Sequence, residues 1–156
     1  MAVPYPGSKK LIAPWRFFPV EVARLQRLST SFLRVTLAGD ELDVFADNGF
    51  DQRIKVILPL PENGVAHLPT GHDWHAQWRA LPEHQRNPVR TYTVRAARPA
   101  LSEVDIDMVL HSDGNGPAAS WAAQAQVGHK LVLLGPDGRH EGTRFCSPAT
   151  KPLFRR

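Results

Sequence analysis

Five short stretches of this chain alternate apolar and polar residues with a period of two, a sixth is a short apolar run, and only one stretch carries strong helix-start signals. No other feature constrains the fold as much, because that period puts one face of each stretch in a core and the other in water. Phe18 to Leu28 is the first stretch. The turn Ser29-Thr30-Ser31 leads to the second, Phe32 to Leu37, which predicts an antiparallel pair. Arg53 to Leu58, Arg90 to Arg95, Glu103 to Leu110 and Lys130 to Leu134 complete the set, and the alternation is cleanest from Glu103. Pro117 to Gln126 reads as the helix, with proline at the first helical position, Gly116 or Asn115 before it and an alanine-rich body. Trp74 to Leu81 has room for two helical turns before Pro82. Residues 1–15 read as a flexible leader and 139–156 as an irregular tail. A mainly β fold follows, an antiparallel barrel over residues 16–138 rather than an α/β sheet.

With 156 residues, 42% of them hydrophobic and 22% charged, the chain has enough apolar material for one ordinary core. Cys146 is the only cysteine, so no internal disulfide framework exists, and a reducing compartment is expected. No run approaches the length of a membrane span. The first ten residues lack an apolar core after their cations, so they do not read as a signal peptide, and the cytoplasm is the expected location. A net charge of +4 favours anionic partners. The basic residues are scattered rather than clustered with aromatics, which argues for a small anionic molecule over nucleic acid. His72 and His75 stand three apart, but nothing nearby completes a ligand set, so no metal site is expected.

Two stretches carry chemistry. In Arg90-Thr91-Tyr92-Thr93-Val94-Arg95, alternation places Thr91, Thr93 and Arg95 on one face and Arg90, Tyr92 and Val94 on the other. An aromatic ring beside a guanidinium suits a flat ligand that carries phosphate. Arg90 and Tyr92 are therefore expected to point at ligand rather than core. Twenty residues on, Gly114-Asn115-Gly116-Pro117 feeds a helix, which presents unpaired N–H groups and the positive end of its dipole, a natural diphosphate site. Ser120 and His111 could add side-chain donors. The same loop satisfies the dinucleotide fingerprint Gly114-x-Gly116-x-x-Ala119, with Asp137 about twenty residues on. A merely structural helix cap is the third reading.

Taken together, Arg90-Thr91-Tyr92-Thr93, a strand ending in His111, and Gly116-Pro117-Ala118-Ala119-Ser120-Trp121-Ala122 closely resemble the siderophore-interacting proteins. Asp51 to Lys55 through Pro59, and Trp78 to Pro82 before Pro88-Val89-Arg90, resemble that family too. Its members are flavin-dependent ferric-siderophore reductases related to the ferredoxin reductases. The resemblance implies a six-stranded Greek-key barrel that binds FAD. Arg90 would meet the diphosphate, Tyr92 would stack on the ring or ribityl chain, and Thr93, beside Thr91, would hydrogen-bond near flavin N5 or a ring carbonyl. Val109 and His111 would line the cofactor. Gly116, Pro117, Ala118 and Ser120 would cradle the diphosphate. In that family NAD(P)H reduces the flavin, which passes single electrons to Fe(III) in an anionic siderophore. Arg53, Lys55 and Arg95 would be the substrate contacts. No catalytic side chain and no protein iron ligand are implied.

The resemblance ends near residue 138. A full member continues into a nicotinamide-binding domain of ordinary size, for which residues 139–156 leave no room. The expectation is an FAD-binding part that is incomplete for catalysis. The alternative is a non-catalytic flavin module that takes electrons from a partner chain. Without a companion domain, the barrel is expected to present an apolar face and to associate with itself.

Overall fold

The computed structural model describes residues 15–49, 51–111, 113 and 116–139. Six strands form in chain order: β1 (Trp15–Arg27), β2 (Phe32–Ala38), β3 (Arg53–Ile57), β4 (Val89–Arg98), β5 (Glu103–Val109) and β6 (Lys130–Pro136). Helix α1 (Trp74–Ala80) lies between β3 and β4, and α2 (Pro117–Gln124) lies between β5 and β6. All pairings are antiparallel, and the strands close in the order β1-β2-β5-β4-β3-β6. This is the expected mainly β barrel. It rules out a doubly wound sheet for the loop before α2, and Gly114 and Asn115 of the fingerprint lie outside the described residues. Asp137 bonds to Arg139 and bridges to Phe45, so it holds the chain after β6.

Alternation along each strand builds the interior. Phe18, Val20, Val22, Val35, Leu37, Ile54, Val56, Val104, Ile106, Met108, Leu131 and Leu133 all face inward and are buried. Pro19 survives inside the long first strand because β1 divides its pairing. Trp15 to Glu21 pairs with β6, and Glu21 to Arg27 pairs with β2. Proline, which has no N–H, thus sits where the strand has a neighbour on one side only. Gly39, just after β2, lies closely against the Pro19 backbone. A Cβ there would lie 2.3 Å from the Pro19 carbonyl oxygen. Bulges interrupt β1 between Val22 and Arg24 and β4 between Val94 and Ala96.

The apolar run of β6 has a separate cause. Val132 and Leu134 point outward with Ile57 and are covered by Phe17, Val65, Leu68, Trp74 and Val89. The long polar excursion between β3 and β4 therefore lies over the outside of the barrel as a second, smaller core. Asn87, fully buried, ties its end down. Its Nδ2 donates to the carbonyls of Leu58 (2.9 Å) and Gly64 (2.8 Å), and the Trp78 indole donates to the Asn87 carbonyl at 2.9 Å.

Candidate functional site at the opening between strands four and five

β4 and β5 run side by side from Arg98–Glu103 to Val94–Ile106, and there their pairing stops. In the same register Thr93 would face Asp107 and Thr91 would face Val109, but no such pairs form. From that point β4 keeps only β3, and β5 keeps only β2. The bulge beside Val94 gives the cause, since an extra residue sharpens strand twist and peels the neighbours apart.

Main-chain direction then decides what the opening contains. The Val94 N–H donates to Gln52 O at 2.8 Å, so Val94, Tyr92 and Arg90 turn their backbone groups toward β3. Thr91 turns its N–H and C=O into the opening. On the other side the Leu110 N–H donates to Ser31 O at 2.7 Å, so Leu110 faces β2 and Val109 faces the opening. Two strands thus offer donors and acceptors across a gap with no ladder to satisfy them. Both residues, Thr91 and Val109, are exposed, so these groups are open to solvent or to a ligand. A flat heterocycle whose edge alternates N–H and C=O has the matching groups.

The side chains complete the arrangement. Tyr92 is half-buried and packs against the barrel core, and burial raises its phenol pKa against the opposing effect of Arg90. The expectation that Tyr92 points away from the core is thereby corrected: its ring packs on the core. Arg90 is exposed, and its guanidinium donates to the carbonyl of its own neighbour Val89 at 2.9 Å. Thr91 and Thr93 point to the outer face. There Lys55 Nζ donates to Thr91 Oγ1 at 2.6 Å, and Arg53 lies opposite Thr93 in the register. Arg95 reaches Asp107 at 3.8 Å, so it is partly engaged. Arg53 and Lys55 thus lie on β3 beside Thr93 and Thr91, and Arg95 follows on β4.

α2 closes this end of the barrel. Ala122 is part of the main core, with Ala118 and Trp121 packed against it. Gly116 precedes the helix at φ +93°, a conformation that L side chains rarely adopt, and as a glycine it brings no capping side chain of its own. Pro117, which has no N–H, occupies the first helical position without losing a hydrogen bond. Val109 and His111 are exposed at the end of β5, on the path to α2. Pro88, just before the Arg90 to Arg95 stretch, borders one cavity with Pro117, Ser120 and Trp121 of α2, so the two stretches singled out in sequence lie near each other.

Sequence reasoning missed the flank of the site. Leu58 to Pro61, Pro88 and the Trp121 face of α2 surround a cavity of about 510 Å³. The signal was present as prolines 59, 61 and 88, of which 59 and 61 were read as closing the third strand, and 59 and 88 as part of the family resemblance.

Comparison with known proteins supplies the family. Residues 21–140 match the family model described as the siderophore-interacting FAD-binding domain. The ferric vibriobactin reductase ViuB of Vibrio cholerae is 38% identical over 125 residues, which are 79% of this chain and 44% of that protein. The NADPH-dependent ferric-chelate reductase of Escherichia coli is 40% identical over 125 residues, 79% of this chain and 46% of the relative. Among solved structures, a siderophore utilization protein from T. fusca superposes with a TM-score of 0.65 at 32% identity, covering 80% of this chain and 46% of that one. The chain spans less than half the length of these relatives.

Proposed function

Because the chain belongs to the siderophore-interacting FAD-binding domain family, we propose that it holds FAD in the opening between β4 and β5 and relays electrons from NAD(P)H to siderophore-bound Fe(III). The observation that carries the reading is the parting of β4 and β5 beside the start of α2. It leaves unladdered backbone groups beside a half-buried tyrosine that packs on the same core as α2, which supports the reading.

The bound flavin supplies the conversion between a two-electron donor and a one-electron acceptor. The chain's residues hold and shield it. Thr91 and Val109 present backbone groups to the ring edge, Thr93 offers its hydroxyl near the reactive side, and Tyr92 forms a flat wall. Arg90 and the turn Gly116, Pro117, Ala118 and Ser120 receive the diphosphate, with His111 beside it. Arg53, Lys55 and Arg95 lie outside, where a positive strip would draw an anionic ferric chelate toward the ring. Residues 16–138 form the flavin-binding unit in this reading, and no described side chain is assigned a role as acid, base or iron ligand.

No described helix is long and apolar enough to cross a membrane. The cytoplasm is the proposed location, supported by the lone Cys146. Leu28, Phe32 and Val109 are large, apolar and exposed, and Phe32 pairs with Val109. They are the surface through which self-association is proposed.

Reconstitution tests the reading. Purified chain mixed with FAD and desalted should retain a flavin absorbance spectrum, and chemically reduced holoprotein should convert an Fe(III)–siderophore to Fe(II), trapped by a ferrous chelator. A colourless protein after desalting would end the flavin assignment. Bleaching by NADPH with no added partner would show that the donor binds this chain directly.

A further inference from the structure

We propose that Asn87 is the positioning residue for Arg90, acting on a bound anion only through the main chain that aims the Arg90 guanidinium. This rests on the flavin reading above and adds to it a residue that touches neither ring nor phosphate. The need for such a residue follows from the strand pairing. At Arg90, β4 has already lost β5, whose pairing ends at Val94, and keeps β3 alone. β3 in turn pairs with β6 only over Lys55 to Ile57. From Leu58 and Pro88 outward the two strands are a ribbon with no third neighbour, and such ribbons are marginal in water. A cation at that end holds a fixed direction only if something beyond the strand anchors it.

Asn87 is placed to be that anchor. Its Nδ2 donates to the Leu58 carbonyl at 2.9 Å and to the Gly64 carbonyl at 2.8 Å, which joins the end of β3 to the turn closed by Leu60 and Gly64. Its own carbonyl accepts the Trp78 indole N–H at 2.9 Å, which brings α1 into the same cluster. The Pro88 carbonyl accepts the Leu58 N–H at 2.9 Å. Val89 then packs on the outer core of Ile57, Val132 and Leu134, and its carbonyl accepts the Arg90 guanidinium at 2.9 Å. The carbonyls of Asn87, Pro88 and Val89 are thus all engaged, and the last of them holds the guanidinium. A residue before proline is also confined to extended backbone, which narrows the directions the chain can take there.

The Asn87 amide contributes through its two N–H groups alone. Its Oδ1 is buried and has no partner among the described residues, a cost that an aliphatic side chain would avoid. Arg86, the residue before it, reinforces the same end of the loop: its guanidinium donates to the carbonyls of Arg79 and Leu81 and lies over the Trp78 ring. A residue that only stabilised the fold would affect every flavin alike, whereas one that acts through Arg90 affects only ligands that carry phosphate.

The test is a double-mutant cycle, read by fluorescence titration of the purified chain with FAD and with riboflavin, which has no phosphate. Asn87→Ala should weaken FAD about tenfold in the parent and less than about twofold in an Arg90→Ala background, where there is no guanidinium to misplace. Riboflavin affinity should stay within about twofold in every variant. If Asn87→Ala does not fold, Trp78→Phe removes the indole bond to the Asn87 carbonyl while keeping a ring, and should give the same pattern at about threefold. Equal loss of FAD and riboflavin, the same loss of FAD with and without Arg90, or unchanged FAD affinity in the variant that folds would overturn the positioning role and leave the flavin reading standing. Failure of the parent chain to bind either flavin would overturn both.

Discussion

β4 carries an arginine near each end, and the two have opposite surroundings. Arg98, where β4 and β5 are paired, is enclosed by acid. Its guanidinium donates to Asp105 at 2.6 and 2.9 Å and to Glu103 at 3.1 Å. Arg24 also donates twice to Glu103, and the Thr36 hydroxyl donates to Asp105, so β1, β2, β4 and β5 are tied together across the outer face. Arg90, where the strands part, meets no carboxylate among the described residues and bonds only to the carbonyl beside it. The same side chain on the same strand closes the sheet at one end and is left to an outside anion at the other. Pairing makes the difference. A guanidinium can be satisfied by the neighbouring strand only while that strand is there.

Substitutions can break this contrast. Removing Arg98 strands the nearly buried Asp105 carboxylate, so Arg98→Ala should cost about 3 kcal/mol in urea unfolding. FAD affinity of the folded fraction should not change. An unaltered unfolding midpoint would mean that the acidic enclosure is not structural. Arg90→Ala should do the reverse. It should weaken FAD by about 2 kcal/mol, the scale of a hydrogen bond to a charged group, with stability held within about 0.5 kcal/mol. Equal flavin affinity in parent and variant would remove Arg90 from the diphosphate site.

Acid sharpens the contrast with a smaller effect. Hydrogen bonds from Arg24 hold Glu103 below its usual pKa. Asp105 is pushed up by burial, but the bonds from Arg98 and Thr36 outweigh that and leave it lowered. Bonding to Arg139 lowers Asp137 to about 2. Each carboxyl binds its proton less readily folded than unfolded. Their contribution is therefore full above the ordinary carboxylate range and declines as pH falls from about 4 toward 2. Urea midpoints measured across that window should drop, and Asp137→Asn should flatten the lowest part of the slope. The smallest change expected is Tyr92→Phe. The wall is the ring, so stability and FAD affinity should both stay within about 0.5 kcal/mol. A large loss of FAD would assign the phenol hydroxyl a direct contact.

The sequence showed what is local and left out what depends on neighbours. Most strands were legible because they bury alternate residues, and β6, buried on both sides, was legible as a short apolar run between turn signals. α2 was legible from Pro117 and the glycine before it. Closure was expected from the absence of long helices, but which strands lose their partner was not. β4 was expected to stop at Arg95. It continues through Ala96 and Ala97 because β5 pairs with them, although alanine has little preference for strands. Asn87 gave no sign that it would be fully buried, since its partners are the carbonyls of Leu58 and Gly64, 29 and 23 positions earlier. Tyr92 was placed on the correct face with the wrong neighbour, because alternation gives side and not depth.

The bulge in β4 has a consequence best expressed as parity. Before Arg95 the even-numbered residues Tyr92 and Val94 face the interior. After it the odd-numbered Ala97 does so, while Ala96 and Arg98 lie opposite Asp105 and Glu103 on the outside. One unmatched residue inverts the code halfway along the strand. Without it, the phase that puts Tyr92 beside the opening would drive the Arg98 guanidinium into the core. Deleting Arg95 should therefore be far more damaging than replacing it, because a deletion removes a frame shift and a substitution removes only a side chain.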